Sequence, residues 1–594
     1  MKPTDVNDPE YFHKVVDCQY ACPAHTPVPE YIRLIARQRY TDAYMINWES
    51  NVFPGVLGRT CDRPCEPACR RGRVEEEPVA ICRLKRVAAD NKQADEVAAR
   101  MPKIPKKKNG KRIACIGAGP ASLTVARDLM PLGYSIDIYD NQLAGGGMMR
   151  SQIPAFRLPV DVLDQEVNYI LDMGVTTIFD REVTSMREIL KEDYDAVFVG
   201  TGAPRGKGLE LPGLEEAGDS VHIGIDWLSS VAFEHIDEIG KRVIVLGGGN
   251  TAMDCCRTAK RLGGEDVRVV VRSPFEDMKA SPWEKEDAMH EGIPIYNNHT
   301  PKEIVVEDGQ MTGMLFEKVR AEYDDQGKRS LIPTGEDWVF MAADDILMAI
   351  GQENAFPWIE RDVGIAFDKW DMPVVDENTF QSTNDKVFFG GDAAFGPENV
   401  ITAVAHGHQA AVSIDLFCRG KSVAERPSPL TNLVSQKMGV HEWTYDNAVE
   451  SAERFIVPLA PLEDALADRK LEVELGFDPD VGFKEAERCL NCDVQTVFEE
   501  AKCIECDACV DMCPTDCITF TENAKEEDLR LSLSAPAANR SQGLYVSADL
   551  PTRRVMVKDE NVCLHCGLCA ERCPTTAWDM QKFLYNVSKA SQVL

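Results

Sequence analysis

Cys503, Cys506, Cys509 and Cys513 follow the spacing C-x2-C-x2-C-x3-C and are followed by Pro514; Cys563, Cys566, Cys569 and Cys573 repeat the spacing ahead of Pro574. Thiolates spaced this way hold iron–sulfur cubanes, because short loops wrap three cysteines round one cluster while the fourth crosses to the other. The repeat predicts two [4Fe–4S] clusters, one on Cys503, Cys506, Cys509 and Cys573 and one on Cys513, Cys563, Cys566 and Cys569. Zinc needs only four ligands and no duplicated rhythm, which makes it the weaker reading. The chemistry is transfer of single electrons. Just upstream, in "KEAERCLNC", Cys489 and Cys492 form a further pair that neither cluster needs.

Two other segments are suited to dinucleotides. In "RIACIGAGPASLTVARDLMPLGYSIDIYD" an apolar strand, a Gly-rich turn, a helix and a second strand follow in order. Gly117 permits the tight turn and Gly119 lets the backbone approach a pyrophosphate at the helix start. Pro120 follows, Ser122 stands where a third glycine is usual, and Asp140, roughly twenty residues on, is placed to bind an adenosine ribose. "KRVIVLGGGNTAMDCCRTAKRLGGEDVRVVVRS" repeats the unit with Gly247, Gly249 and Ala252. Two such units suggest two nucleotides, one a flavin and one a nicotinamide. "VFFGGDAAFGPENVITAVAHGHQAA" then sets Asp392 after a strand and at a helix start, where a carboxylate can bind a flavin ribityl hydroxyl.

A chain of 594 residues should hold three or four domains. No stretch approaches 18 consecutive apolar residues, and the charged start "MKPTDVNDPEYFHKVVD" does not read as a signal sequence, so a cytoplasmic location is expected. A net charge of −32 argues against nucleic acid or an anionic membrane surface as a partner. Twenty-one cysteines in such a chain point to metal ligation rather than disulfides.

The order "GAGPAS", "AGGGMMRSQIPAFRLP", "GTGAP", "GGGNTAMDCCRTAKRLG", "MAIGQ" and "FFGGDAAFGPENVITAVAHG" resembles the small, flavin-containing subunit of NADPH-dependent glutamate synthase. It is similar too to the amino-terminal half of dihydropyrimidine dehydrogenase and the large subunit of ferredoxin:NADPH transhydrogenase. The resemblance runs from about residue 15 to 425. It implies a multidomain α/β fold with two Rossmann-like domains, the second inserted in the first. FAD would be held by Gly117, Gly119, Pro120, Ser122, Asp140, Gly146, Met149, Thr201, Gly391, Asp392, Thr402 and Ala403. The nicotinamide would be held by Gly247, Gly249, Asn250, Thr251, Arg272 and Gly351. NADPH enzymes of the family usually carry two basic residues at the end of the strand "VRVVVRS"; here Arg272 is followed by Ser273. No acidic residue stands there, so the reading favours NADP and leaves NAD open.

By the same resemblance the amino-terminal helical region carries two [4Fe–4S] clusters. "VVDCQYACPAH" supplies Cys18 and Cys22, and "GRTCDRPCEPACRRG" supplies Cys61, Cys65 and Cys69. Where the family often has a Glu or Gln ligand, this chain has Lys85, and a lysine cation cannot serve; Cys82 is the expected replacement. One cluster would then lie on Cys22, Cys61, Cys65 and Cys82. The other would have Cys18 and Cys69 and lack two thiolates, which Cys489 and Cys492 supply if the arm folds back. Four clusters need sixteen thiolates, and these residues with the eight ferredoxin cysteines make sixteen. The alternative is that Cys489 and Cys492 are helical thiols without metal. Cys115, Cys255, Cys256 and Cys418 read as core residues, with Cys517 the exception.

The expected segments are a helical iron–sulfur domain over 1–105, a FAD domain over 106–235 and 376–425, a NAD(P) domain over 236–375, an arm over 426–500, and a two-cluster ferredoxin domain over 501–594. Segment 521–555, between the two ferredoxin motifs, reads as a polar insertion. His13, His25, His406 and His408 lie near these motifs and are assigned no role, since a lone histidine is more often a satisfied core or surface residue. With no barrel for a pyrimidine and no amidotransferase region, the substrate site is expected on another chain. The expected function is the NAD(P)-reactive subunit of an oxidoreductase complex, with partners such as a 2-oxoacid or aromatic-acid oxidoreductase, a hydrogenase or a formate dehydrogenase. The alternatives are a glutamate synthase small subunit or stand-alone NAD(P)H:ferredoxin oxidoreductase working with a soluble ferredoxin, and, from another class, a redox-sensing or scaffold protein.

Overall fold

The computed structural model describes residues 1–590 apart from 76, 440–441, 444–450 and 536–539. Parts of the expected arm and of the expected polar insertion therefore lie outside the described residues. The chain divides into two compact units. One comprises Pro102–Ala424 with Pro458–Leu475; the other comprises Met1–Met101, Glu425–Val457 and Gly476–Leu594.

The first unit is built on two parallel five-stranded sheets. One runs Val387–Phe389, Ala196–Val199, Arg112–Ile116, Ser135–Tyr139, Thr176–Ile178 in spatial order, and the other Val221–Ile223, Asp345–Met348, Arg242–Leu246, Asp266–Val270, Ile295–Tyr296. Their central strands are near-continuous apolar runs because helices cover both faces of a parallel sheet. In each sheet the Gly-rich turn leads from a central strand into a helix, Pro120–Leu129 in the first and Asn250–Arg261 in the second. Strand Val387–Phe389 returns to the first sheet after the whole of the second has been completed, so the second Rossmann-like fold is inserted in the first. The antiparallel strands His299–Glu307, Gln310–Tyr323, Arg329–Pro333 and Val339–Ala342 extend the inserted domain. Arg157, in the loop after the flavin-side glycines, forms ion pairs with Asp254 at 2.6 Å and with Glu284, tying the two folds together. Phe156 beside it packs with Ala460, Ala465 and Val473 of the returning segment.

In the second unit the short helices Asp17–Tyr20, Val28–Ala36, Tyr40–Asn51, Pro54–Thr60 and Ile81–Asp90 frame the amino-terminal cysteines, Cys18 and Cys82 lying on helices and Cys22, Cys61, Cys65 and Cys69 on the connections between them. The carboxyl-terminal part has two three-stranded antiparallel sheets, Ile518–Glu522 with Arg554–Lys558 and Tyr545–Val546, and Leu430–Ser435 with Trp578–Asn586 and Val494–Phe498. Strand Leu430–Ser435, at the start of the expected arm, is set by backbone pairing with Trp578–Asn586. The expected polar insertion is also partly apolar. Its Leu529, Leu544 and Val546 are buried with Val555 and Val557, and Thr4 pairs with Val546 through the N–H of each, at 2.9 Å. The amino-terminal segment thus straps the ferredoxin-like part. His13 stacks on Tyr585 with ring centres 3.7 Å apart, and Arg33 grips both oxygens of Asp493 at 2.7 and 2.5 Å. Among the described residues no helix is long and apolar enough to cross a membrane.

Candidate functional site

The sixteen expected ligand cysteines fall into four groups in the second unit. Cys18, Cys69, Cys489 and Cys492 line one small cavity, with Val28, Ile32, Val79 and Ile81 as its apolar wall. Cys18 lies on helix Asp17–Tyr20, Cys69 immediately precedes the turn Arg70–Arg73, and the other two follow helix Pro479–Ala486. Burial raises the Cys18 and Cys492 thiols well above their usual range and pushes Cys489 up to about 12. Four thiols so placed hold their protons unless a cationic group replaces them, and an iron cluster fits that need.

Cys61, Cys65 and Cys82 lie together, and the interaction with the Cys61 and Cys65 thiols holds Cys82 well below the usual thiol range. Cys22 lies near the same trio; its Sγ is 3.4 Å from Thr26 Oγ1. Lys85, one turn along helix Ile81–Asp90 from Cys82, is buried and donates to Asn51 Oδ1 at 3.2 Å. Burial alone would discharge it, but Cys82, Cys61, Cys65 and Cys22 hold its pKa above the ordinary lysine value. It stands beside the group as a cation.

Cys503, Cys506, Cys509 and Cys573 line a further cavity, with Phe498, Phe520 and Trp578 behind them. Cys513, Cys563, Cys566 and Cys569 make the fourth group through mutual electrostatic interactions. The two repeats differ in one respect. Cys517 donates its backbone N–H to Cys513 Sγ at 3.4 Å and its own sulfur lies 3.4 Å from that atom, whereas Ala577 donates the equivalent N–H to Cys573 Sγ at 3.2 Å and has no thiol.

In the first unit, both Gly-rich turns are closed by geometry that a side chain would block. Gly117 has φ +93°, and a Cβ there would stand 2.5 Å from the Gly200 carbonyl; Gly247 has φ +143°, with the Ala349 carbonyl 2.1 Å away from such a Cβ. Gly119 and Gly249 then cap the helices that begin at Pro120 and Asn250. Asp140 accepts the Ala118 N–H at 2.6 Å and the Gln142 N–H at 2.8 Å, so it fixes the first turn and keeps lone pairs for a ribose. Gly146 folds onto the same turn through its N–H to the Ala118 carbonyl at 2.9 Å, and Met149 is buried just beyond. Ser122 Oγ and Thr201 Oγ1 are buried without a hydrogen-bond partner, as polar groups reserved for a ligand would be. Gly391 has φ +60° and precedes helix Asp392–Phe395. Asp392 accepts the Glu398 N–H at 3.1 Å, and burial pushes its carboxyl up to about 6. Thr402 donates its N–H to Asn399, and Ala403 follows in helix Val400–Cys418. These features fit FAD. His408 is bonded to Asp128 at 2.6 Å, a structural pair.

On the nicotinamide side, Asn250 accepts the Ser281 N–H at 2.8 Å, Ala280 donates to the Gly248 carbonyl at 2.8 Å, and Thr251 sits in the first turn of the helix. Gly351, with φ +123°, follows strand Asp345–Met348. Arg272 is exposed past the end of strand Asp266–Val270. Because loop 271–281 folds back onto the turn, exposed Lys279 stands next to the Ala280 contact. The sequence reading missed Lys279, which no local pattern marks.

A model described as pyridine nucleotide-disulphide oxidoreductase matches residues 111–407, half of the chain. The chain belongs to this family. Around that core, a model of dihydropyrimidine dehydrogenase domain II, 4Fe-4S cluster, matches residues 13–97 and one of a 4Fe-4S dicluster domain matches residues 502–577. The NADP(+)-dependent formate dehydrogenase subunit beta of Moorella thermoacetica is 34% identical over 80% of this chain and 70% of its own length. The NADPH-Fe(3+) oxidoreductase subunit beta of Geobacter sulfurreducens (strain DL-1 / KN400) is 32% identical over 82% and 77%. The glutamate synthase [NADPH] small chain of Escherichia coli (strain K12) is 33% identical over 67% and 87%. This pyridine nucleotide-disulphide oxidoreductase is an NAD(P)H-dependent flavin and iron–sulfur enzyme that transfers electrons between a nicotinamide, FAD and [4Fe–4S] clusters at both ends of the chain.

Proposed function

We propose that the chain is the NADP(H)-reactive electron-transfer subunit of a larger oxidoreductase, with four [4Fe–4S] clusters on the four cysteine groups described above. The observation that carries this reading is the cavity lined by Cys18, Cys69, Cys489 and Cys492, which joins the two cluster-bearing parts of the chain. FAD exchanges hydride with a nicotinamide and single electrons with clusters, which is the chemistry the subunit needs. The chain's own residues bind and orient. Gly117, Gly119, Pro120 and Ser122 bring backbone and helix start to the FAD pyrophosphate, and Asp140 binds its ribose. Gly146, Met149, Thr201, Gly391, Asp392, Thr402 and Ala403 line the rest of the cofactor. Gly247, Gly249, Asn250, Thr251 and Gly351 do the same for the nicotinamide. We assign Arg272 and Lys279 as the two cations for a 2′-phosphate, an arrangement that favours NADP over NAD. The relatives named as NADP-dependent formate dehydrogenase and NADPH-Fe(3+) oxidoreductase beta subunits support that choice and the presence of partner subunits. We place the protein in the cytoplasm, where free thiols persist.

The test is iron per chain in protein purified without oxygen. About sixteen irons in the native chain, falling to about twelve in Cys489→Ser/Cys492→Ser, is expected at four per cubane; about twelve in both sinks the shared cluster. For the nicotinamide, Arg272→Ser/Lys279→Ser should raise KM for NADPH at least tenfold and leave KM for NADH unchanged. Equal effects on both would remove these residues from the 2′-phosphate.

A further inference from the structure

Arg70 is 1% exposed and lines the cavity of Cys18, Cys69, Cys489 and Cys492. Its Nε donates to Asp17 Oδ2 at 2.7 Å, and its Nη1 donates to the carbonyl oxygens of Glu560 at 2.8 Å and Cys563 at 2.6 Å. Nη2 is buried with no hydrogen-bond partner. A guanidinium that serves three neighbours with two nitrogens and leaves the third bare at a cavity edge is arranged for an acceptor inside that cavity. The carbonyl of Cys563 belongs to a residue of the fourth cysteine group, so a single side chain touches two metal sites. A second link runs alongside, where His565 Nδ1 lies 3.1 Å from the Cys492 carbonyl oxygen. Arg73 adds a third, donating to the Asn561 carbonyl at 2.9 Å and to Asp17 at 2.8 Å.

The Cys503, Cys506, Cys509 and Cys573 group is built differently. Its cavity is lined by residues 498–520 and 573–578, and no residue before Phe498 contributes to it. Cys506 is exposed, and Ile504 beside it is 62% exposed.

We propose that Arg70 Nη2 donates to a sulfur of the cluster held by Cys18, Cys69, Cys489 and Cys492, while Nη1 fixes the Cys563 loop of the next cluster. One buried cation then serves both sites. Hydrogen bonds to cluster sulfurs and nearby charge are what a protein uses to set cluster potential. Arg70 raises the potential of the shared cluster and makes the Cys513, Cys563, Cys566 and Cys569 cluster the point where electrons enter the ferredoxin-like part. The Cys503, Cys506, Cys509 and Cys573 cluster is the outer one. This inference rests on the four-cluster reading given above.

The experiment is a reductive titration of the complete, cluster-loaded protein followed by electron paramagnetic resonance, with iron determined on the same samples. Arg70→Gln should keep about sixteen irons, at four per cubane, and lower the potential of the shared cluster so that it becomes the last to be reduced. The flavin and the cluster on Cys503 should not move. Arg70→Lys should keep the iron and return the potential most of the way to native. Full iron with an unchanged potential in Arg70→Gln overturns the proposal. If Arg70→Gln loses four irons, Arg70→Lys decides: full iron at near-native potential supports the cation, and loss of the same cluster shows a side chain that only holds the loop and overturns it. A native chain with about twelve irons, unaltered by Cys489→Ser/Cys492→Ser, instead sinks the underlying cluster reading and this inference with it.

Discussion

The Cys22, Cys61, Cys65 and Cys82 group and the Cys18, Cys69, Cys489 and Cys492 group share one compact unit but are assembled in opposite ways. Every thiol of the first comes from the amino-terminal helices, so folding that bundle completes it. The second has only two thiols there and takes the other two from a segment that follows the entire nucleotide-binding unit in sequence. Closing so long a loop is entropically unfavourable and must be offset by contacts made at the joint. Those contacts are polar and buried. Arg488 is fully buried and donates to the carbonyls of Glu77 and Pro78, Arg71 donates to the Arg488 carbonyl, and Glu485 accepts the Ala80 N–H at 2.7 Å. A local metal site depends on its helix bundle, whereas a shared one depends on an internal interface.

The two sites separate most clearly when thiols are removed. Cys489→Ser/Cys492→Ser should lose about four irons and stop NADPH from reducing the ferredoxin-like clusters while flavin reduction continues. Cys82→Ala should lose a different four, with a different set of electron paramagnetic resonance signals. Loss of identical signals in the two variants would erase the distinction between the sites.

Next in size is Arg33→Ala, which strands Asp493 beside Cys492. Breaking a buried pair of this kind costs about 3–5 kcal/mol. In a chelator challenge the shared cluster should be stripped much faster than in the native protein and the Cys22 group should keep its native rate. Equal acceleration at both sites would show general unfolding rather than a weakened joint.

Acid should act in the same direction with a smaller effect. Burial and the neighbouring His25 lower the pKa of His13, which stacks on Tyr585, to about 3. The native state therefore binds fewer protons than the unfolded chain between that value and about 6.5, so the stability His13 provides is complete above pH 6.5 and is lost as pH falls towards 3. Thermal melts from pH 7 to 5 should fall in midpoint, and His13→Phe should flatten that slope. A slope unchanged in the variant would assign the titration to other groups.

The smallest expected change is at Lys85. Lys85→Met should keep all iron and lower the potential of the Cys22 group's cluster alone, because it removes a cation and leaves the four cysteines in place. A shift at the shared cluster instead would mean the two sites are not electrostatically separate.

What could be read from the sequence was what is local in it. The C-x2-C-x2-C-x3-C runs and the glycines at 117 and 247 announce themselves because a cluster loop and a close backbone approach restrict residue type over a few positions. Cys489 and Cys492 were connected to Cys18 and Cys69 by the family resemblance and by counting thiols. Arg70, His565 and Lys279 were not legible at all. Arginines follow Cys69 in a run of basic residues, and nothing local distinguishes the one whose nitrogens reach Glu560 and Cys563. Lys279 depends on a loop folding back to Gly248. The strand Leu430–Ser435 was hidden for the same reason, since its partner Trp578–Asn586 is distant in sequence and pairing rather than propensity defines it.

The returning cysteine pair also has a consequence for biogenesis. A ribosome that has released the amino-terminal helices and both nucleotide-binding folds has still not made Cys489 or Cys492, so the emerging chain can accept a cluster at Cys22, Cys61, Cys65 and Cys82 but not at Cys18 and Cys69. On the proposed ligand set, metal loading of the shared site would wait for synthesis to pass residue 492, and a product ending before it would carry only two of the four thiols. On the proposed ligand set the pair would act as a checkpoint, because the shared cluster could be retained only after the segment carrying Cys489 and Cys492 has been made and has docked.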